Sequence, residues 1–212
     1  MRMTAGIVLA AGESRRMRAG AAAGALPKQV MKVGGVTLLG RAIGAARGAG
    51  LSPIVVVLGA FSQEIRAGVA ELAGTHVVEN EGWARGMGSS LHAGLEGVLR
   101  VAPEAEAVLV TVCDQPRVGV AELRRLLEAR EATGKGLVAA AYGGAARTVG
   151  APAIISRKYF EAVRGLDEAA GAKVLFVRFA EDVACVEIPA AGTDVDDVAT
   201  YEKLVIEEGG TP

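Results

Sequence analysis

Cysteine, histidine and aromatic side chains are scarce in this 212-residue chain: two cysteines, two histidines, one tryptophan, and 4% aromatics in all. Cys113 and Cys185 form neither a C-x-x-C unit nor a disulfide framework, which excludes the small stapled folds and suits a reducing cytoplasm. His76 and His92 have no cysteine or carboxylate at metal-ligand spacing, so neither is assigned to zinc. An excess of one charge is also missing. With 23 basic and 24 acidic residues the formal charge is -1, so no global field draws the chain to nucleic acid or to an acidic membrane. Nowhere do about 18 uncharged apolar residues run together, and "MRMTAGIVLAAGESRR" meets charge at Glu13, Arg15 and Arg16. A soluble cytoplasmic chain without a signal peptide is expected. Three motifs are absent as well: G-x-G-x-x-G, G-x-x-x-x-G-K-[ST] and G-x-S-x-G. That disfavours a dinucleotide site, a P-loop and a serine hydrolase elbow.

What the chain does have is apolar bulk, 51% by count, enough for a sizeable core in one domain spanning residues 1–212. Short β-branched runs read as strands: "GIVLA" near residue 6, "PIVVVL" from Pro53, "THVVE" from Thr75, "AVLVTVC" from Ala107 and "GLVAAA" from Gly136. Residues 37–49 and 119–132 have helical spacing, with Leu38, Ala42, Ala45 and Ala46 on one face and Leu123, Leu126 and Leu127 on the other segment's face. Strands apolar throughout belong to a sheet covered on both sides, so the order βαβαβαβαβ predicts a mostly parallel, three-layer α/β/α fold of Rossmann-like type. After residue 142 the alternation loosens. "GGAARTVGAPAIIS" reads as turn, short strand and turn, followed by helix-like segments near 156–165 and 168–177, which suggests a small lobe, about 142–180, inserted over the sheet edge. A strand "VACVEIP" and a helix "VATYEKLVIEE" close the chain.

Ligands in such sheets bind outside the carboxyl ends of the strands, and three segments fall there. In "GIVLAAGESRRMRAGAAAGALPKQ", Gly12 permits a tight turn and close approach to a ligand, loop N–H groups suit an anion nest, and Arg15, Arg16, Arg18 and Lys28 supply charge for a polyphosphate. A solvated surface loop has the same composition. "TVCDQP" delivers Asp114 from a strand end just before a proline, a way to hold a carboxylate for a divalent cation, or equally to cap a turn. Asp194, Asp196 and Asp197 open the last helix, where they serve as caps or supply a second metal carboxylate. The stretch "NEGWARGMGSSLHAGL" sets Asn80, Arg85, glycines, Ser89 and Ser90 before an amphipathic helix, suited to an anionic or hydroxyl-rich group or simply to a capped helix start. Trp83 within it either closes over a flat ligand or anchors packing.

In this order along the chain, "LAAGESRRM" with "LPKQ", "NEGWARGMGSSLHAGL", "VCDQP", "VGAPAII" and "DVDDVATYEKL" resemble the molybdopterin-nucleotide-synthesis type of nucleotidyltransferase, and within it the molybdenum cofactor cytidylyltransferases. The resemblance implies a Mg²⁺-dependent transfer of CMP from CTP to molybdopterin cofactor with release of pyrophosphate. It implies that Leu9, Ala10, Ala11, Gly12, Ser14, Arg15, Arg16, Lys28 and Asn80 bind the nucleotide. Arg16, Lys28 and Asp114 would carry catalysis, with Asp114 and either Asp196 or Asp194 holding the metal. Trp83, Gly86, Met87, Ser89, Ser90, Gly150, Pro152 and Lys173 would face the acceptor. Ala11 in L-A-A-G goes with cytidine enzymes of this type, whereas guanylyl enzymes tend to L-A-G-G. A GTP-using relative, a transferase acting on a sugar or polyol phosphate, and a nucleotide-binding cofactor chaperone are the alternatives. A molybdoenzyme or molybdenum-cofactor chaperone is the implied protein partner. Two departures stand out: Met17 is followed by "RAGAAAGALP" instead of an immediate glycine, and Lys173 stands where arginine is usual, replacing a fork-shaped contact by one ammonium.

Overall fold

Apolar pressure on both faces shapes the first strand. In β1, Thr4–Ala10, the side chains of Ala5, Ile7 and Val8 are wholly buried although they point alternately to opposite sides, so the strand must run between two layers. The computed structural model describes residues 3–14, 17, 26–144 and 147–210. Among these, β4 (Ile54–Leu58) and β6 (Ala107–Val112) flank β1 in parallel. β5 (His76–Glu79) adds a parallel edge beyond β4. On the other side come β7 (Leu137–Tyr142), β8 (Thr148–Ser156) and β9 (Val183–Glu187). The seven strands follow the order β5-β4-β1-β6-β8-β7-β9, while β2 (Lys32–Val33) and β3 (Val36–Thr37) form a separate small ribbon.

Helices cover both faces, as the apolar strands predict. On one face lie α1 (Leu38–Gly48) and α4 (Val120–Thr133), which place Leu39, Ile43, Leu123 and Leu126 against Val8, Val56 and Leu109. The short α2 (Ser62–Gly68) adds Ile65 to that layer. On the other face α3 (Met87–Val101) sets Leu91, Leu95 and Val98 on Ile7, Val55 and Val57, beside α5 (Phe160–Arg164) and α6 (Lys173–Arg178). Two threonine and aspartate caps start helices where the sequence suggests: Thr37 Oγ1 accepts from Gly40 N at 2.9 Å, and Asp197 Oδ1 from Thr200 N at 2.8 Å at the head of α7 (Val198–Glu207).

The segment after residue 142 differs from the expectation. It holds a nine-residue strand, β8, inside the sheet and antiparallel to both β6 and β7, rather than a short strand in a lobe over the edge. The alternation cue fails because Ala153, Ile154 and Ile155 are all buried, and because Gly150 and Pro152 read as turn residues. Proline tolerates a sheet interior only at an irregularity. Here the pairing jumps from Ala139↔Ala153 to Ala140↔Gly150, leaving Ala151 and Pro152 in the bulge. The helical segments that follow are shorter than expected, with α5 ending at Arg164 and α6 starting only at Lys173.

Candidate active site

The carboxyl ends of β1 and β6 lie side by side, and a cleft of about 500 Å³ opens above them. Its walls come from residues 9–14, Lys28 and Gln29, residues 112–114, Asp196, and Trp83, Ala84, Gly86, Met87 and Ser90. All four of the segments singled out in the sequence thus meet in one place.

Lys28 is its electrostatic centre. It sits in a 3-10 turn, Lys28–Val30, after Pro27, and its side chain is 9% exposed. Nζ donates to Asp114 Oδ2 at 2.8 Å, to Asp196 Oδ1 at 3.1 Å and to the carbonyl of Val195 at 3.2 Å. Burial alone depresses the ammonium, but the Asp114 carboxylate, the neighbouring Cys113 and the hydrogen bonds to both aspartates outweigh it and raise the pKa above the ordinary lysine value. Lys28 therefore stays charged. Gln29 fixes the turn to the loop: wholly buried, it donates from Nε2 to the carbonyls of Ala10 and Gly12, each at 2.9 Å. The Ser14 hydroxyl reaches Gln29 Oε1 at 3.4 Å. The sequence signal for Gln29 was the triplet "PKQ", but its work lies in contacts no spacing reveals.

Asp114 and Asp196 reach the same ammonium from segments 82 positions apart, and the backbone locks them together, with Val195 N donating to Asp114 O at 2.8 Å. Asp194 takes a different environment: it is exposed, with its carboxylate partly desolvated beside Gln115. Burial first, then the Asp114 and Asp196 carboxylates, raise its pKa. Of the two C-terminal candidates, Asp196 is the one that converges with Asp114. Among the described residues no group of three or more His, Cys, Asp or Glu is placed to hold a metal. Two converging carboxylates fit a hard divalent cation that completes its shell with phosphate and water, and do not fit a zinc cage. Cys113, also lining the cleft, is not a free nucleophile: burial, and then Asp114, push its thiol up to about 12.

Leu9, Ala10, Ala11, Gly12 and Ser14 all line the cleft. Gly12 faces open space, with no atom within 4 Å of the point where a side chain would begin. Arg15, Arg16 and Arg18 lie outside the described residues. Asn80 does not line the cleft. It is buried, its Nδ2 donates to the hydroxyls of Ser89 and Ser90 at 2.9 and 3.1 Å, and its Oδ1 accepts from Gly82 N at 3.0 Å. Its hydrogen bonds thus shape the 80–90 loop and do not reach into the cleft. Ser89 is likewise structural, lying near the carbonyls of Gly82 and Gly86, whereas Ser90, Gly86 and Met87 line the cleft. Trp83 stacks its Cβ against Gly59, where a side chain would also strike Ala11 O, so it borders the first loop as well.

The 82–90 loop and residues 167–170 interlock. A Cβ on Gly86 would stand 2.6 Å from Ala169 Cα, and one on Gly88 2.4 Å from Asp167 O. Ser89 N donates to Glu168 O at 3.2 Å, and Arg85 pairs with Glu168 at 3.1 Å. Gly150, Pro152 and Lys173 do not line the cleft; they lie beyond it, on β8 and at the start of α6.

The profile of the MobA-like NTP transferase domain matches residues 6–183. Bifunctional protein GlmU of Kineococcus radiotolerans is 37% identical over 128 residues, 60% of this chain and 25% of its own length. Nicotine blue oxidoreductase of Paenarthrobacter nicotinovorans is 35% identical over 122 residues, 58% of this chain and 54% of its own. The chain thus spans about a quarter and about half of the length of these two relatives. Rv0371c of Mycobacterium tuberculosis H37Rv superposes with a TM-score of 0.78 at 29% identity, covering 97% of this chain and 98% of that one. A manganese complex of that same mycobacterial protein superposes at 0.72, with 28% identity over 97% and 99% of the two chains. With the profile matched over residues 6–183, most of this chain, and a mostly parallel α/β sheet carrying the cleft at its strand ends, the chain belongs to the MobA-like NTP transferase domain family.

Proposed function

We propose that the protein is a divalent-metal-dependent cytidylyltransferase that transfers CMP from CTP to a molybdopterin cofactor and releases pyrophosphate. The observation that carries this reading is the convergence of Lys28, Asp114 and Asp196 at the mouth of the residue 9–14 loop. Asp114 and Asp196 would hold Mg²⁺ or Mn²⁺, which supplies Lewis-acid stabilisation of phosphate charge when bound. Manganese is the metal in the mycobacterial neighbour.

The chain's own residues supply positioning and charge. Gly12 lets the triphosphate approach the loop backbone, and Gln29 keeps that loop in one conformation. Lys28 places a permanent ammonium where negative charge accumulates on the nonbridging and leaving oxygens. A phosphate oxygen of the acceptor bonds to the α-phosphorus of CTP, the bond from that phosphorus to the bridging oxygen of the β-phosphate breaks, and pyrophosphate departs with the electron pair. The attacking phosphate is already ionised, so no general base is required. Ala11 supports cytidine: it is buried in the cleft wall, at the position where the family resemblance sets alanine against the glycine of guanylyl enzymes. The 82–90 loop, locked to residues 167–170, is the proposed acceptor wall. Two free cysteines suit a reducing cytoplasm.

The test is pyrophosphate release by the purified protein with CTP or GTP, Mg²⁺ or Mn²⁺, and molybdopterin cofactor. Release with CTP is expected. Release only with GTP moves the protein to guanylyl transfer, turnover only with a sugar or polyol phosphate replaces the acceptor, and tight CTP binding without turnover of any acceptor makes it a nucleotide-binding chaperone.

A further inference from the structure

We propose that β9 is the interface of a symmetric homodimer, in which two copies of this chain join their sheets edge to edge with the β9 strands antiparallel and centred on Cys185. β9 stands apart from the cleft, with β8 and β7 between it and β6, so pairing there leaves both clefts open.

Strand order and hydrogen bonding define the free edge. β9 ends the seven-stranded sheet, and among the described residues β7 is its only strand partner. Along a strand the backbone groups alternate, those of one residue turning to one neighbour and those of the next residue away from it. Ile188 N donates to the carbonyl of Ala141 at 2.9 Å, which sets the phase. Ala184 and Val186 share that phase and turn to β7, so the N–H and C=O groups of Val183, Cys185 and Glu187 point outward. Such an edge is a template for another strand unless a lysine, a proline or a bulge blunts it. β9 reads Val-Ala-Cys-Val-Glu in regular register and has none of these. The opposite edge, β5, is shorter, and its last residue, Glu79, is held by Ser62 Oγ and Arg66.

The sequence of β9 is complementary to itself. Two copies placed antiparallel about Cys185 set Cys185 against Cys185 and Val183 against Glu187, and every outward N–H and C=O of both strands finds a partner. Moving the centre to residue 184 sets Glu181 against Glu187, two carboxylates. Moving it to residue 186 sets Val183 against Pro189, which has no N–H to give. In the centred register the Glu187 carboxylate of each copy arrives beside residues 181–183 of the other. Lys135 waits there: its Nζ donates to the carbonyl of Glu181 at 2.5 Å and meets no carboxylate among the described residues. Glu187, already paired with Arg147 at 3.0 Å in its own chain, would thus lie between two cations. No core residue has to move, because Ala184 and Val186 stay packed in the layer that holds Leu123 and Leu126. Pairing of one short strand buries little surface, so the dimer should be reversible.

Cys185 reports on the axis. Across a hydrogen-bonded antiparallel pair the Cα atoms are about 5.5 Å apart. Cys185 is exposed, whereas Cys113 is buried with its thiol pushed up to about 12, so a short bismaleimide reacts at residue 185.

Sedimentation of the full chain over a range of concentrations, cross-linking, and amide exchange followed by NMR test the interface. Wild type is expected to pass from monomer to dimer with concentration and to be cross-linked through Cys185. Exchange protection should rise with concentration at Val183, Cys185 and Glu187 but not at Ala184 and Val186, which β7 already holds. Cys185→Ser should dimerise without cross-linking. Cys185→Pro removes an outward N–H that the β7 ladder does not use, and should be folded by circular dichroism yet monomeric. Glu187→Lys should dimerise about tenfold more weakly, and adding Lys135→Glu should restore association. Wild type that stays monomeric at its highest soluble concentration overturns the proposal, as does a dimer that is not cross-linked at Cys185 or lacks the alternating protection. A folded Cys185→Pro that still dimerises overturns it too. If that variant does not fold, the charge swap and the amide pattern decide.

Discussion

Lys28 holds together two carboxylates that would otherwise repel, and its removal should be felt most when no metal is present. Breaking a fully buried pair costs about 3–5 kcal/mol. Asp114 and Asp196 are 28% and 34% exposed, so Lys28→Met should lose less, about 1–2 kcal/mol by urea denaturation. Added Mg²⁺ or Mn²⁺ should raise the unfolding midpoint more in this variant than in wild type, because the cation then meets two uncompensated carboxylates. Equal shifts in both proteins would remove Asp114 and Asp196 as a metal pair. The raised pKa of Lys28 means that its pairing stabilises the fold throughout the neutral range and is lost only as the pH rises through that elevated value. Gly12 behaves oppositely to Lys28. Its Cβ position is open, so Gly12→Ala should leave the melting temperature unchanged or slightly higher. On the proposed reading the new methyl stands in the path of the triphosphate, and CTP affinity measured by calorimetry should fall by about tenfold. A variant that is destabilised, or that binds CTP normally, would show that the cleft is not used in this way.

Between elements, the contacts that matter most are backbone to backbone. Gly86 and Gly88 let the head of α3 lie directly on residues 167–170, and an added Cβ at either would press on atoms that cannot swing aside. Gly86 also has φ near +132, a conformation other residues rarely adopt. Gly86→Ala should therefore cost about 1–3 kcal/mol, and raise acceptor KM while CTP binding at the first loop persists. A second inter-element hub lies at the opposite end of the sheet, where Asp182 Oδ2 accepts from Tyr159 Oη at 2.6 Å, Lys158 Nζ at 2.7 Å and Gly136 N at 3.1 Å. Burial works against ionisation of Asp182, but the hydrogen bonds from Lys158, Tyr159 and Gly136 prevail and hold its pKa at about 2. Its stabilising effect should be complete above the ordinary carboxylate pKa and disappear as the pH falls towards 2. The gap in urea midpoint between wild type and Asp182→Asn should accordingly close between pH 5 and about pH 2. The parallel strands around β1 were legible in the sequence because each is a continuous β-branched run. β8 was not, since burial on both faces erases alternation and its bulge carries the residues that normally mark a turn. The partners of Asn80 were equally illegible: no spacing shows that its amide donates to the hydroxyls of Ser89 and Ser90.

Across the whole molecule, the cleft joins the two ends of the chain. Lys28 meets Asp196 across 168 positions, a pairing that no spacing rule can anticipate, although the residue types at both ends had marked them as candidates. The family profile stops at residue 183, so Asp196 lies in a stretch beyond the matched region. A separate small core holds that stretch in place, in which Val195, Leu204 and Val205 pack with Met17, Val33 and Leu38. Asp197 caps α7 immediately after Asp196. The position of the second carboxylate therefore depends on how firmly α7 is docked. Leu204 is 3% exposed, and Leu204→Ala should cost about 2–3 kcal/mol. The loss should be local before it is global, because the sheet core of β1, β4 and β6 shares no residue with this cluster. Hydrogen exchange should speed up in residues 195–207 while β1 and β6 keep their protection. Metal binding should weaken in parallel, and saturating Mg²⁺ with CTP should restore part of the protection, since a ligand held by Asp114 and Asp196 favours the docked helix by mass action. If exchange accelerates in α7 yet metal affinity stays at the wild-type value, Asp196 does not hold the metal and Asp114 must do so without it.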